Sequence, residues 1–167
     1  MRLSKIVTSS VVAVTIFTTG ASFASASASA WHKGVPSFAK VNPYKSWMST
    51  KKIDKKNGYY KRQILFADNT QVGNGFRKFH DNGKGAFSLG GGAPIISYPY
   101  YKKIGSNTYE VKTTKDPQGT TSKNLVKFQK SGKKVKAWIK YSGKSWEYVG
   151  SLKKVKLENE YKTDPLK

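Results

Sequence analysis

The chain has 167 residues, with 31 Lys+Arg against 9 Asp+Glu, a formal charge of +22, and no cysteine. A balance this basic excludes attraction to cationic partners and favours polyanions. The absence of cysteine excludes disulfides, thiolate metal sites, cysteine nucleophiles and a lipid-modified cysteine anchor, so the fold must be held by its hydrophobic core alone.

Residues 1–30 read as a secretory signal peptide. Arg2 and Lys5 give a positive start, Ile6 to Phe17 is mostly apolar, and Ala21 to Ala30 is a run of small residues. Ala26-Ser27-Ala28 and Ala28-Ser29-Ala30 both fit the small-x-small cleavage rule, so cleavage is expected after Ala28 or Ala30. A retained membrane anchor is the other reading, but the apolar run is shorter than the ~20 residues needed to cross a bilayer. Removal through Ala30 takes away Arg2 and Lys5 and leaves a charge of +20 on 137 residues. A chain of that size buries roughly two-thirds of its unfolded surface, enough for one core.

After the leader, residues 31–43 are irregular, broken by Gly34, Pro36 and Pro43. Residues 44–160 are expected to form a single β-domain, followed by a tail over 161–167. Turn signals recur at about the spacing of an all-β chain. Asn57-Gly58 is the strongest hairpin signal, because both residues tolerate positive φ. Asp81-Asn82-Gly83, Gly105-Ser106-Asn107, Asp116-Pro117-Gln118-Gly119, Ser131-Gly132 and Ser142-Gly143 continue the series.

The segments between are rich in Tyr, Val, Ile, Phe and Trp. Tyr59–Phe66 sets Tyr60, Ile64 and Phe66 on one face. Phe76–His80 pairs with Gly85–Leu89 across the turn at Asp81–Lys84. Ile95–Ile104 reads as one tyrosine-rich strand, at an edge because of Pro94 and Pro99. Tyr109, Val111 and Thr113 point inward, with Glu110 and Lys112 outward. Val126 and Phe128 share a side. Lys134–Tyr141 alternates most cleanly, with Val135, Ala137, Ile139 and Tyr141 inward and Lys134, Lys136, Trp138 and Lys140 outward. Trp146–Leu152 and Val155–Leu157 close the chain. Helical turns are allowed only at Ser37–Lys40 or Ser46–Lys52. Gly90-Gly91-Gly92 reads as a loop or sharp bend. The fold expected is an all-β antiparallel meander of about seven to nine strands closing into a small barrel, which removes exposed edges; a β-sandwich is the alternative.

The segment Trp31-His32-Lys33-Gly34-Val35-Pro36 resembles the W-H-K-G-x-P opening of small, uncharacterised secreted proteins of lactic acid bacteria. In that group a short strand containing a Trp follows, and Tyr44-Lys45-Ser46-Trp47 takes its place here. The resemblance implies a lipocalin-like or other meander barrel and carries no catalytic residue. The lipocalin Gly-x-Trp signature is not matched, because Lys45 stands where Gly would be.

For chemistry, the outward row Lys134, Lys136 and Lys140, with Trp138 in it, is joined by Lys133, Lys153, Lys154 and Lys156 nearby in sequence. Like charges side by side repel unless a polyanion or salt screens them. Such a row suits phosphate-tracking adhesion, with affinity from counterion release; the bland reading is a solvated face that keeps the protein soluble. Arg62 and Arg77 are the only arginines after the leader. Lysine acts as a mobile point charge rather than a fixed fork, so diffuse attraction is expected rather than base readout.

His80, within Arg77-Lys78-Phe79-His80-Asp81, is a candidate general base for a ribonuclease-like or wall-hydrolase site. Strand neighbours point to opposite faces, however, so Arg77 and His80 converge only across a bulge. No metal site and no cofactor motif is found. The expected function is non-enzymatic, secreted adhesion of a monomer to an anionic cell-wall polymer, an anionic lipid surface or extracellular nucleic acid. A lipocalin-like small-ligand carrier is the alternative, and a small nuclease or wall hydrolase a second one.

Overall fold

Alternating side chains become strand throughout, as a sheet with one wet face requires. The computed structural model describes residues 29–42, 44–84, 86–113, 123–156 and 163–167, excluding the side chains of 86–93. The leader as far as Ala28 and the turn at Asp116–Gly119 lie outside these residues.

In chain order the strands are β1 (His32–Lys33), β2 (Lys45–Ser49), β3 (Ile53–Lys56), β4 (Tyr59–Ala67), β5 (Gln71–His80) and β6 (Ala86–Ser97), then β7 (Pro99–Gly105), β8 (Thr108–Thr113), β9 (Leu125–Ser131), β10 (Lys134–Lys140) and β11 (Glu147–Lys156). All the ladders are antiparallel, in the order β1-β7-β8-β9-β10-β11-β2-β4-β5-β6, with β3 on β4. Asn57 and Gly58, at φ 55° and 74°, make the β3–β4 turn, the backbone a two-residue hairpin demands.

The sheet is an open meander rolled so that its two halves face each other. The main core takes Leu65, Ala67, Val72, Ile95 and Ile96 from one half and Val111, Val126, Phe128, Val135, Ala137 and Ile139 from the other. Before β9, Asn124 Nδ2 donates to the Ile95 carbonyl at 3.0 Å and ties the halves together. The irregular N-terminal segment adds to this core. Val35, Ala39 and Val41 are buried in it, and Trp47 Nε1 donates to the Ala39 carbonyl at 2.6 Å.

Strands β2, β4 and β5 are buried on both faces. On the side away from the main core, Met48, Tyr60, Ile64, Phe79 and Val155 form a second cluster, with Phe66 and Leu166 against it. Asp164 lies in the segment that covers this face. It accepts from Arg62 Nε at 2.6 Å and from the Tyr60 hydroxyl at 2.5 Å. Burial and then Asp164 hold the Tyr60 hydroxyl protonated well above its ordinary range. The end of the expected tail is therefore docked structure.

The structure corrects five expectations. Tyr141, expected inward, is 40 % exposed, because β10 and its inward alternation end at Lys140. The ladder ends at β6 on one edge and β1 on the other, so the barrel does not close. The reason is local: β6 and β7 are separated by Tyr98 alone, at φ 48°. A reversal needs a loop of at least about two residues, so β7 continues β6 around a corner instead of returning beside it. Ile95–Ile104 is accordingly broken at Tyr98. Gly90–Gly92 lies within β6, with Gly91 opposite Gly75 and Gly90 opposite Phe76. Ser46–Ser49 is strand, because Trp47 and Met48 alternate between the two cores; the tight turn falls at Ser37–Ala39, where Ala39 N donates to the Pro36 carbonyl at 2.9 Å.

Candidate functional site

Strand β10 fixes the site. Val135, Ala137 and Ile139 are buried, while Lys134 and Lys136 are exposed and Trp138 and Lys140 half-buried on the outer face. Hydrophobic burial of the inner residues leaves the others no choice, since a slip of one residue would turn the lysines into the core. Across the ladder to β11, Lys134 faces Lys153, Lys136 faces Ser151 and Trp138 faces Tyr148. On the β9 side, Lys136 faces Gln129 and Trp138 faces Lys127.

The eight predicted polyanion-binding residues therefore do not form one row. Lys134, Lys136, Trp138, Lys140 and Lys153 share the outer face, and Lys133 stands in the β9–β10 turn. Lys154 and Lys156 alternate to the other side of β11, the side of the buried Leu152. Lys154 Nζ donates to the Lys40 carbonyl at 2.9 Å and sits 5.0 Å from the centre of the Trp47 ring. Partial burial, and then the nearby Lys45, hold its ammonium below the usual lysine range. A shallow cleft of about 220 Å³ opens beside it, floored by Phe38, Trp47 and Val135 and rimmed by Lys130, Lys133, Lys134 and Lys154.

Among the described residues the carboxylates are mostly engaged elsewhere. Asp54 pairs with Lys61 at 3.0 Å, Asp81 with Lys55 at 3.7 Å, Asp164 with Arg62 at 2.6 Å and Glu110 with Lys102 at 3.9 Å. Asp68 caps the β4–β5 turn, accepting from Thr70 N at 2.7 Å and Gln71 N at 2.9 Å. Among the described residues no ion pair involves Lys133, Lys134, Lys136, Lys140 or Lys153.

Three residues outside the predicted set complete the outer face. The Lys127 ammonium lies 4.7 Å from the Trp138 ring centre and 4.8 Å from that of Trp146. Tyr148, 51 % exposed, has its ring 5.1 Å from Trp138 at an interplanar angle of 42°. The alternation of Leu125–Lys130 already puts Lys127 opposite in sense to Val126 and Phe128, a signal sufficient to place it outward. The position of Trp146 depends on the β10–β11 loop and has no periodic signature.

His80 is exposed at the end of β5, opposite Tyr59. Arg77 is buried and its guanidinium lies 5.9 Å from the centre of the Phe79 ring, on the other face of the strand. The two side chains do not converge. Among the described residues no group of three or more His, Cys, Asp or Glu is placed to hold a metal, and no helix is long and apolar enough to cross a membrane.

These side chains define a rolled antiparallel sheet with a cationic, aromatic-bearing outer face. Comparisons with protein-family models, curated proteins and solved structures gave no match.

Proposed function

We propose that this protein is a secreted, non-enzymatic domain that binds anionic polymers through the outer face of β9–β11 and the adjoining β9–β10 turn. The observation that carries this reading is the set Lys134, Lys136, Lys140 and Lys153, which have no carboxylate partner among the described residues. Lys134 directly opposite Lys153 is an unfavourable pairing in the free protein, and an arriving polyanion relieves it. The partner chemistry is a repeated phosphate, sulfate or carboxylate, whether from a cell-wall polymer, an anionic lipid surface or extracellular nucleic acid. Binding is diffuse, because lysine ammonium groups do not fork an anion in a fixed geometry.

Two other readings have less support. A lipocalin-like carrier needs an open interior, and here Leu65, Phe128, Ile139 and Leu152 fill it. A hydrolytic site at His80 needs a carboxylate to orient the imidazole, and the adjacent Asp81 is instead paired with Lys55 at 3.7 Å.

The test is retention on immobilised heparin as salt rises. Wild-type protein should elute well above a neutral domain of equal size. The variant with Lys134, Lys136, Lys140 and Lys153 all changed to Gln should lower the slope of log affinity against log salt by about 3, at roughly 0.7 per lost contact. Elution of the wild type together with the neutral control sinks the proposal.

A further inference from the structure

The outer face carries more than charge. Trp138, Trp146 and Tyr148 bring three aromatic rings to the solvent side of β10–β11, with Lys127 between the two indoles. Strand propensity accounts for single aromatic residues on a sheet. Three rings gathered around one ammonium on one face, with Tyr148 exposed and both indoles half-buried, are less ordinary and suit a binding surface.

A backbone device holds the set together. The β10–β11 register shifts between Ala137 and Trp138: Ala137 is opposite Gly150, but Trp138 is opposite Tyr148. Regular pairing would place Val149 across from Trp138. The extra residue lets Val149 pack against the main core and re-aims Tyr148 beside the indole. Gly150 has φ 140°, a conformation open to glycine and strained for any other residue. Bulges of this kind recur where a side chain must be redirected.

Resting on the charge reading above, we infer that this shelf stacks sugar rings, and that the preferred ligand is an anionic glycan rather than a bare polyphosphate or a nucleic acid. The rings of Trp138 and Tyr148 are tilted 42° to each other, and Lys127 lies over Trp138 and Trp146. No parallel slot is left between Trp138 and Tyr148 for a flat base to enter. A saccharide needs one apolar ring face at a time, with hydroxyl or ammonium donors at its rim, and the Tyr148 hydroxyl and Lys127 are such donors. Lys136 and Lys140, flanking Trp138 on the same strand face, suit the acidic substituents of such a chain.

The experiment titrates the wild type, Trp146→Ala and Tyr148→Ala with three probes of similar charge at one salt concentration: heparin, inorganic polyphosphate and poly(dT). Circular dichroism confirms that each variant folds. Each aromatic variant should lose roughly tenfold in heparin affinity, the size of one stacking contact, and stay within about twofold of wild type for polyphosphate, as a contact without charge requires. Equal losses for heparin and polyphosphate, or no loss for heparin, overturn the inference and leave the charge reading standing. A loss confined to poly(dT) overturns it in favour of base stacking. A wild type that binds none of the three overturns both readings.

Discussion

The β4–β5 hairpin and the β9–β11 ladder are built from the same alternation yet treat their charges in opposite ways. In the hairpin both faces are covered. Leu65 and Ala67 enter the main core, and Tyr60 and Ile64 the second cluster. Arg62 is buried there against Asp164, and its guanidinium also donates to the Thr50 carbonyl at 2.8 Å. In the ladder one face is covered and the lysines on the other are left to solvent. Charge is used for folding in the first region and left to solvent in the second. A buried cation is tolerated only when its anion and hydrogen-bond acceptors come with it, whereas an exposed one can wait.

Breaking the hairpin side of this contrast has the largest expected effect. Asp164→Ala leaves the Arg62 guanidinium buried with no carboxylate, and should destabilise the fold by about 3–5 kcal/mol in urea unfolding. A cost below about 1 kcal/mol would mean that Arg62 finds water readily and that the covering segment contributes little.

The acid limb of stability gives a smaller effect. Burial alone would raise the Asp68 carboxyl, but hydrogen bonds from Thr70 and Gln71 outweigh it and hold the group below its ordinary value. A depressed folded value means that this stability is present above the unfolded value of about 3.9 and lost as pH falls through the folded one. Asp68→Ala should therefore cost ~0.5–1 kcal/mol near neutrality, modest because the turn faces solvent. The gap from wild type should close toward about pH 2; a gap of equal size there would remove the carboxylate as its cause.

The smallest effect sharpens the ladder side and has the opposite sign. Lys153→Gln relieves the like-charge pairing with Lys134. It should raise stability by ~0.2–1 kcal/mol at low salt, and the gain should vanish as salt screens the pair. A loss of stability would show that the lysine stem contributes packing that outweighs the repulsion.

What was legible beforehand follows the range of the interactions. The inward and outward residues of β10 could be read because turns bound it on both sides and its apolar residues sit at strict period two. The same rule separates Lys153 from Lys154, which nearness in sequence alone does not show. The role of Asp164 was not legible, since its partner Arg62 is 102 residues away and a lone acid near a chain end has no local signature. The open edge turned on a single residue, Tyr98, and no count of turn signals distinguishes a corner from a reversal. Lys127, Trp146 and Tyr148 were visible as types, but their meeting depends on the register shift at Trp138.

The ladder between β2 and β11 joins Ser46 to Val155 and Trp47 to Lys154, so nearly the whole domain is strung between two neighbouring strands. Contacts of such long sequence separation must overcome chain entropy before they return any stability, and folds dominated by them assemble slowly, on the order of milliseconds to seconds. On the ribosome, β2 is made early and has to wait for the last strand to emerge. Until then the β11 side of Trp47 and Met48 has no strand beside it, and only β4 holds the other side.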